Sequence, residues 1–142
     1  DSSQTMDEKE LIRVEQERKG REVKNILVVD DMVTSIRSVK AALDGLYKII
    51  AVRSGEEALR YLEKNTPHLI LMDILMPNMN GIETVRRIRE RFPGNIPVIF
   101  LSSANDTQTV LACRDVHADD YIVKPFKVDY MRERIAMVLG EI

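Results

Sequence analysis

Five short apolar runs, each leading into a segment of helical spacing, constrain this chain more than any other feature. The runs are ILVVD (26–30), KIIAV (48–52), LILMD (69–73), PVIFLS (97–102) and DYIVK (120–124). Each has strand length, and the apolar residues are consecutive rather than alternate, as in strands covered on both faces. Between the runs, apolar residues recur at helical spacing. The sets are Ile36, Val39, Leu43 and Leu46; Ala58, Leu59 and Leu62, with Ser54 as N-cap; Ile82, Val85 and Ile88; and Val128, Met131, Ile135 and Val138. A shorter helix of weaker spacing fills 106–116. The alternation predicts an α/β fold, a doubly wound five-stranded parallel sheet flanked by five helices. Right-handed crossovers then bring the C-terminal ends of all strands to one edge.

Polar residues fall at those ends. Asp30 and Asp31 close the first run, Asp73 the third, Ser102 the fourth and Lys124 the fifth. Open α/β sheets bind ligands along this edge. Three carboxylates crowded together repel unless a cation joins them. Lys124 supplies one charge, and a hard divalent ion such as Mg²⁺ would supply more through oxygen ligands. A carboxylate beside a metal, a lysine and a hydroxyl can attack a phosphoryl group, and its neighbours can stabilise the charge on the phosphoryl oxygens.

The motifs ILVVDD (26–31), SGEEAL (54–59), LILMDILMPNMNG (69–81), PVIFLSS (97–103) and YIVKPF (121–126) together resemble the receiver domain of two-component response regulators, of the chemotaxis-regulator-like kind. The resemblance implies a flavodoxin-like sheet in the order 2-1-3-4-5 and phosphorylation of one aspartate by a histidine kinase or phosphotransfer domain. It makes Asp73 the phosphoacceptor. It makes Asp31 the direct Mg²⁺ ligand, with Asp30 acting largely through water, and Asp73 and the Leu75 backbone carbonyl completing the set. Lys124 would pair with Asp73 and then with the phosphoryl group. Ser102 stands at the switch hydroxyl, where Thr is commoner in the family, and Tyr121 at the aromatic switch position, turning inward on phosphorylation. The Lys124–Pro125 bond would be cis. A changed surface on the fourth helix, fifth strand and fifth helix would carry the output, and the same surface offers a route to a homodimer. Gly81 is expected to supply an unusual backbone angle in the turn leaving the site.

Residues 24–142 are thus read as a receiver domain, and 1–23, dense in charge, as a polar helical extension or linker that breaks at Gly20. The chain starts at Asp1 rather than Met, which suggests a piece of something longer. A net charge of −2 gives no bulk positive field for nucleic acid, and no run approaches the roughly 20 apolar residues of a membrane span. The single cysteine, Cys113, precludes an internal disulfide, which suits a cytoplasmic location. Cys113 and His117 are expected as packing and surface residues, Met76 and Met79 as loop packing, and the basic run 86–92 as a mostly solvated face. Two rivals remain. One is a receiver-like interaction module that is not phosphorylated. The other is a haloacid-dehalogenase-like phosphatase, which needs an acid two residues after its nucleophile. Met32 and Val33 occupy those places after Asp30 and Asp31. The expected role is therefore signalling by phosphorylation, without turnover of an external substrate.

Overall fold

The structure, a computed structural model, describes residues 8–10, 12 and 23–142. Residues 8–10 and 12 are helical, and the rest of the expected N-terminal extension up to residue 22, including Gly20, lies outside the described residues. From there the chain runs β1 (Asn25–Val29), α1 (Val33–Leu43), β2 (Lys48–Val52), α2 (Gly55–Leu62), β3 (Leu69–Met72), α3 (Gly81–Arg91), β4 (Val98–Ser102), α4 (Thr107–Asp115), β5 (Asp120–Val123) and α5 (Val128–Val138). All neighbouring strands are parallel, in the order β2-β1-β3-β4-β5.

The consecutive apolar residues of each strand divide between two cores by strand periodicity. Leu27, Val29, Ile70, Met72, Val98 and Phe100 face α2, α3 and α4, where Leu59, Leu62, Val85, Ile88 and Cys113 meet them. Ile26, Val28, Leu69, Leu71, Ile99, Leu101 and Ile122 face α1 and α5, where Val39, Leu43, Met131 and Ile135 close the other side. The register pairs Val29 with both Val52 and Met72, Met72 with Phe100, and Ser102 with Val123, so the strands end in line. The residues immediately beyond them share one edge for that reason.

Side-chain caps fix the starts of α2, α3 and α4. The Ser54 hydroxyl accepts the Glu57 N–H (3.1 Å), and the Asn80 and Asp106 side chains cap α3 and α4 in the same way. The helical faces differ in detail from the sequence pattern. Helix α1 stops at Leu43 because Gly45 turns with φ +76°, and Leu46 is left exposed. Val128 opens α5 and is exposed, while Ile82 is only partly buried and Thr84 takes the buried place beside it. In the basic run, Arg89 is only partly exposed. Its guanidinium donates to the carbonyls of Ile96 (2.6 Å), His117 (3.1 Å) and Val116 (3.2 Å), fastening α3 to the end of α4. Cys113 is buried, which pushes its thiol up to about 11, and His117 is exposed. Met76 and Met79 pack into the core.

Gly81 corrects an expectation. The left-handed residue of its turn is Asn78 (φ +70°), and Gly81 has no positive φ. Its lack of a side chain serves a close approach instead. A Cβ there would lie 1.9 Å from the Asp73 carbonyl oxygen. The Gly81 N–H donates to the Ile74 carbonyl (2.9 Å), so α3 starts pressed against the backbone that carries Asp73. Gly81→Ala is expected to destabilise the fold by about 1–3 kcal/mol through overpacking of backbone on backbone. Urea denaturation checks this, and a change within experimental error would mean that the turn gives way at no cost.

Candidate functional site

Asp30 and Asp73 follow β1 and β3 directly. Both are almost fully buried, at 2% and 6% exposure. Asp31 is partly buried at the mouth, Ser102 is fully buried at the end of β4, and Lys124 follows β5. One carboxylate oxygen from each of Asp30, Asp31 and Asp73 lies within 4.8 Å of the others. The structure therefore gathers the five strand-end residues singled out from the sequence into one pit.

The contacts refine the picture. Lys124 Nζ donates to Asp30 Oδ2 at 2.7 Å and lies 3.7 Å from Asp73 Oδ1. The ion pair expected with Asp73 is thus made more closely with Asp30. A third contact, to Ser35 Oγ at 3.1 Å, anchors the ammonium to the first turn of α1. Asp30 Oδ1 accepts the Met32 N–H (3.0 Å), and Asp73 Oδ1 accepts the Ile74 N–H (2.9 Å). The Ser102 hydroxyl faces Asp73 and accepts the Ala104 N–H at 3.4 Å. Two residues past Asp73, Leu75 has an exposed side chain, and among the described residues its carbonyl accepts no hydrogen bond. The Lys124–Pro125 peptide bond is cis.

Burial is the main influence on Asp73. It pushes the carboxyl up to about 6, the Asp30 charge pushes the same way, and Lys124, the Ile74 N–H and Ser102 oppose them incompletely. Without a further cation, then, this carboxylate sits uneasily ionised at neutral pH. Tyr121 lies under α4 with its hydroxyl buried and, among the described residues, unpartnered. Burial first, then Cys113, Asp106 and Asp73, push that hydroxyl up to about 12. The side chain already occupies an inward position.

Two contributors carried no sequence signal. Ser35 is one of several small polar residues in α1, and only the fold sets it against Lys124. Arg53 follows β2, and its Nη2 donates to the Asp31 carbonyl at 2.8 Å. A basic residue after a strand reads as solvated unless the opposite loop is known.

Residues 26–136 match the family of the response regulator receiver domain. The chain belongs to that family. Response regulator ArlR of Staphylococcus saprophyticus is 36% identical over 115 residues, covering 80% of this chain and 51% of that protein. The CAI-1 autoinducer sensor kinase/phosphatase CqsS of Vibrio cholerae is 37% identical over 123 residues, 84% of this chain and 18% of that protein. Among solved structures, a CheY-like response regulator receiver domain protein from Methanospirillum hungatei matches with a TM-score of 0.78 at 28% identity, covering 84% of this chain and 96% of that one. The chain spans about half the length of the regulators it matches. As a receiver domain, it has a phosphoacceptor signalling role in two-component systems. Receivers as a family are signalling domains rather than enzymes. Among the described residues, no helix is long and apolar enough to cross a membrane.

The raised Asp73 carboxyl has a thermodynamic consequence in metal-free buffer. The folded state holds this proton more tightly than the unfolded chain, so the contribution of Asp73 to stability falls as pH rises from about 4 to about 6 and is level beyond. Asp73→Asn removes that loss. Its stability relative to the wild type is expected to climb from near zero at pH 4 to about 1–2 kcal/mol at pH 7, after allowing for solvent at the mouth. Denaturation of both proteins in EDTA across this range decides it, and a difference that stays flat with pH would contradict the assignment.

Proposed function

We propose that Asp73 is the phosphoacceptor of this receiver and that its neighbours divide the chemistry as the family pattern implies. The observation that carries the proposal is the convergence of Asp73, Asp30, Asp31, Lys124 and Ser102 on one edge of the sheet. An Asp73 carboxylate oxygen attacks the phosphorus of a phosphohistidine. The phosphorus–nitrogen bond breaks, the imidazole leaves with its electron pair and takes up a proton, and an acyl phosphate remains.

The residues present fit a hard divalent ion. Three carboxylates offer oxygens within 4.8 Å of each other, and the Leu75 carbonyl has no competing partner among the described residues. Asp30, Asp31, Asp73 and that carbonyl would hold Mg²⁺, which would neutralise charge on the phosphoryl oxygens. Lys124 gives the arriving phosphoryl a cation already held by Asp30 and Ser35. Ser102 turns its hydroxyl proton towards a phosphoryl oxygen. That movement, with Tyr121 packed behind, alters the face made by α4, β5 and α5, which carries output or a homodimer contact.

The histidine-bearing partner has a natural approach. A cleft of about 660 Å³ between α1 and the β5–α5 loop, lined by Ser35, Ser38, Ala41, Pro125 and Phe126, reaches Lys124. We place the domain in the cytoplasm, a reading supported by its free cysteine, Cys113. A receiver-like module without phosphorylation would have no use for an intact acid cluster with its lysine, and all of these are in place here.

The acyl phosphate is lost when water attacks in line with the Asp73 oxygen. In the family pattern the side chains two residues past the phosphoacceptor and two past the switch hydroxyl flank that approach; here they are Leu75 and Ala104, and neither can orient water or take its proton. General-base help is worth about 10²–10⁴-fold where it exists, so self-dephosphorylation is slow. Acetyl phosphate with Mg²⁺ is expected to add one phosphoryl group to the wild type and none to Asp73→Asn by intact mass. Undiminished labelling of the variant would remove Asp73 from the role. After donor removal, Leu75→Asn with Ala104→Glu should decay several-fold faster than wild type. Equal decay would mean that these positions do not set the lifetime.

A further inference from the structure

Of the three acids in the pit, Asp31 is the least supported. Asp30 is held by Lys124 and the Met32 N–H, and Asp73 by the Ile74 N–H with Lys124 nearby. Among the described residues, the Asp31 carboxylate accepts no hydrogen bond, and it sits at the mouth where solvent reaches it. What ties this residue down is a single side chain from a neighbouring loop, the Arg53 guanidinium on its carbonyl at 2.8 Å.

Arg53 is unusually well placed to act as an anchor, because its own backbone is fixed. The Ser54 hydroxyl accepts the Glu57 N–H (3.1 Å), and Glu57 Oε2 in return accepts the Arg53 N–H (2.5 Å). This reciprocal cap ties the start of α2 to the residue before it. One residue earlier, the Val52 carbonyl accepts the Asp30 N–H (3.2 Å). The end of β2 therefore grips the backbone of both acids of the pair, one through the sheet and one through a side chain. Gly55 lets this turn sit close against α3, since a Cβ there would lie 2.2 Å from Thr84 Oγ1.

We propose that Arg53 is a positioning residue for the divalent cation, holding the loop that presents Asp31 so that its carboxylate is ready to coordinate. The inference rests on the assignment of Mg²⁺ to this pit. Groups that orient a ligand without touching the metal commonly change its affinity by 10–100-fold. Arg53 acts through the backbone of the ligand rather than its carboxylate, so an effect of about 3–10-fold is expected. The guanidinium also carries a positive charge, which by itself would repel the cation. It is exposed, so solvent and salt screen that repulsion, and the two roles have opposite signs.

The opposite signs make the test decisive. Mg²⁺ affinity is measured by calorimetry or amide chemical shifts for wild type, Arg53→Lys and Arg53→Met, together with the thermal midpoint of each. Arg53→Lys keeps the charge but lacks the Nη2 that reaches the Asp31 carbonyl. Positioning predicts that both variants bind Mg²⁺ about 3–10-fold more weakly, with thermal midpoints near wild type. With acetyl phosphate, the Mg²⁺ concentration for half-maximal labelling should rise while the rate at saturating Mg²⁺ is unchanged. Tighter binding by Arg53→Met with unchanged Arg53→Lys would show that only the charge matters and would overturn the proposal, as would wild-type affinity in both variants. Wild type that binds no Mg²⁺ would overturn the metal assignment itself, and the role of Arg53 with it.

Discussion

The crowding of Asp30, Asp31 and Asp73 beside a single lysine is the constraint on which the rest of the site depends. Two of these carboxylates are almost fully buried, where an unbalanced charge is expensive. Lys124 balances chiefly Asp30 and leaves Asp73 with less, so burial and the Asp30 charge raise the Asp73 carboxyl. The pit is therefore short of positive charge. In the mechanism proposed above, that shortage is the reason a divalent ion has a place there, and the charge such an ion adds is what lets an anionic phosphoryl group approach.

The two cores explain why the pit is rigid enough to hold this tension. Every strand is clamped on both faces, and the in-line register delivers the strand-end residues to one edge. Gly81 presses α3 against the Asp73 carbonyl, and Arg53 and Ser35 bring neighbouring elements onto Asp31 and Lys124. The far side of the sheet edge is less settled. The Tyr121 hydroxyl is buried without a partner among the described residues, a situation that costs about 1–3 kcal/mol. An element carrying such a cost next to α4, of which Cys113 is the sole buried residue, is a natural place for a conformational response.

Much of this was legible in the sequence because strand burial and strand ends leave strong marks. Consecutive apolar residues gave the parallel sheet, and the acids, serine and lysine at its ends gave the pit. What was hidden depends on geometry between elements distant in the chain. Nothing near Arg53 or Ser35 says that each faces a residue from another loop, 22 and 89 positions away. Gly81 was recognisable as special, but a tight approach and a left-handed turn have the same one-letter signature. Leu46 misled because an apolar residue continues the period past the point where Gly45 has already turned the chain, and Val128 because the first residue of α5 lies within the helix yet stays exposed.

The shortage of positive charge around Asp73 can be observed directly by following its carboxyl carbon by NMR through a pH titration, first in EDTA and then with Mg²⁺. In EDTA the Asp73 carboxyl should titrate near 6. With Mg²⁺ its midpoint should fall well below that as the ion favours the charged form. An Asp73 that titrates in the ordinary carboxylate range without metal, or that ignores Mg²⁺, would contradict this account of the site.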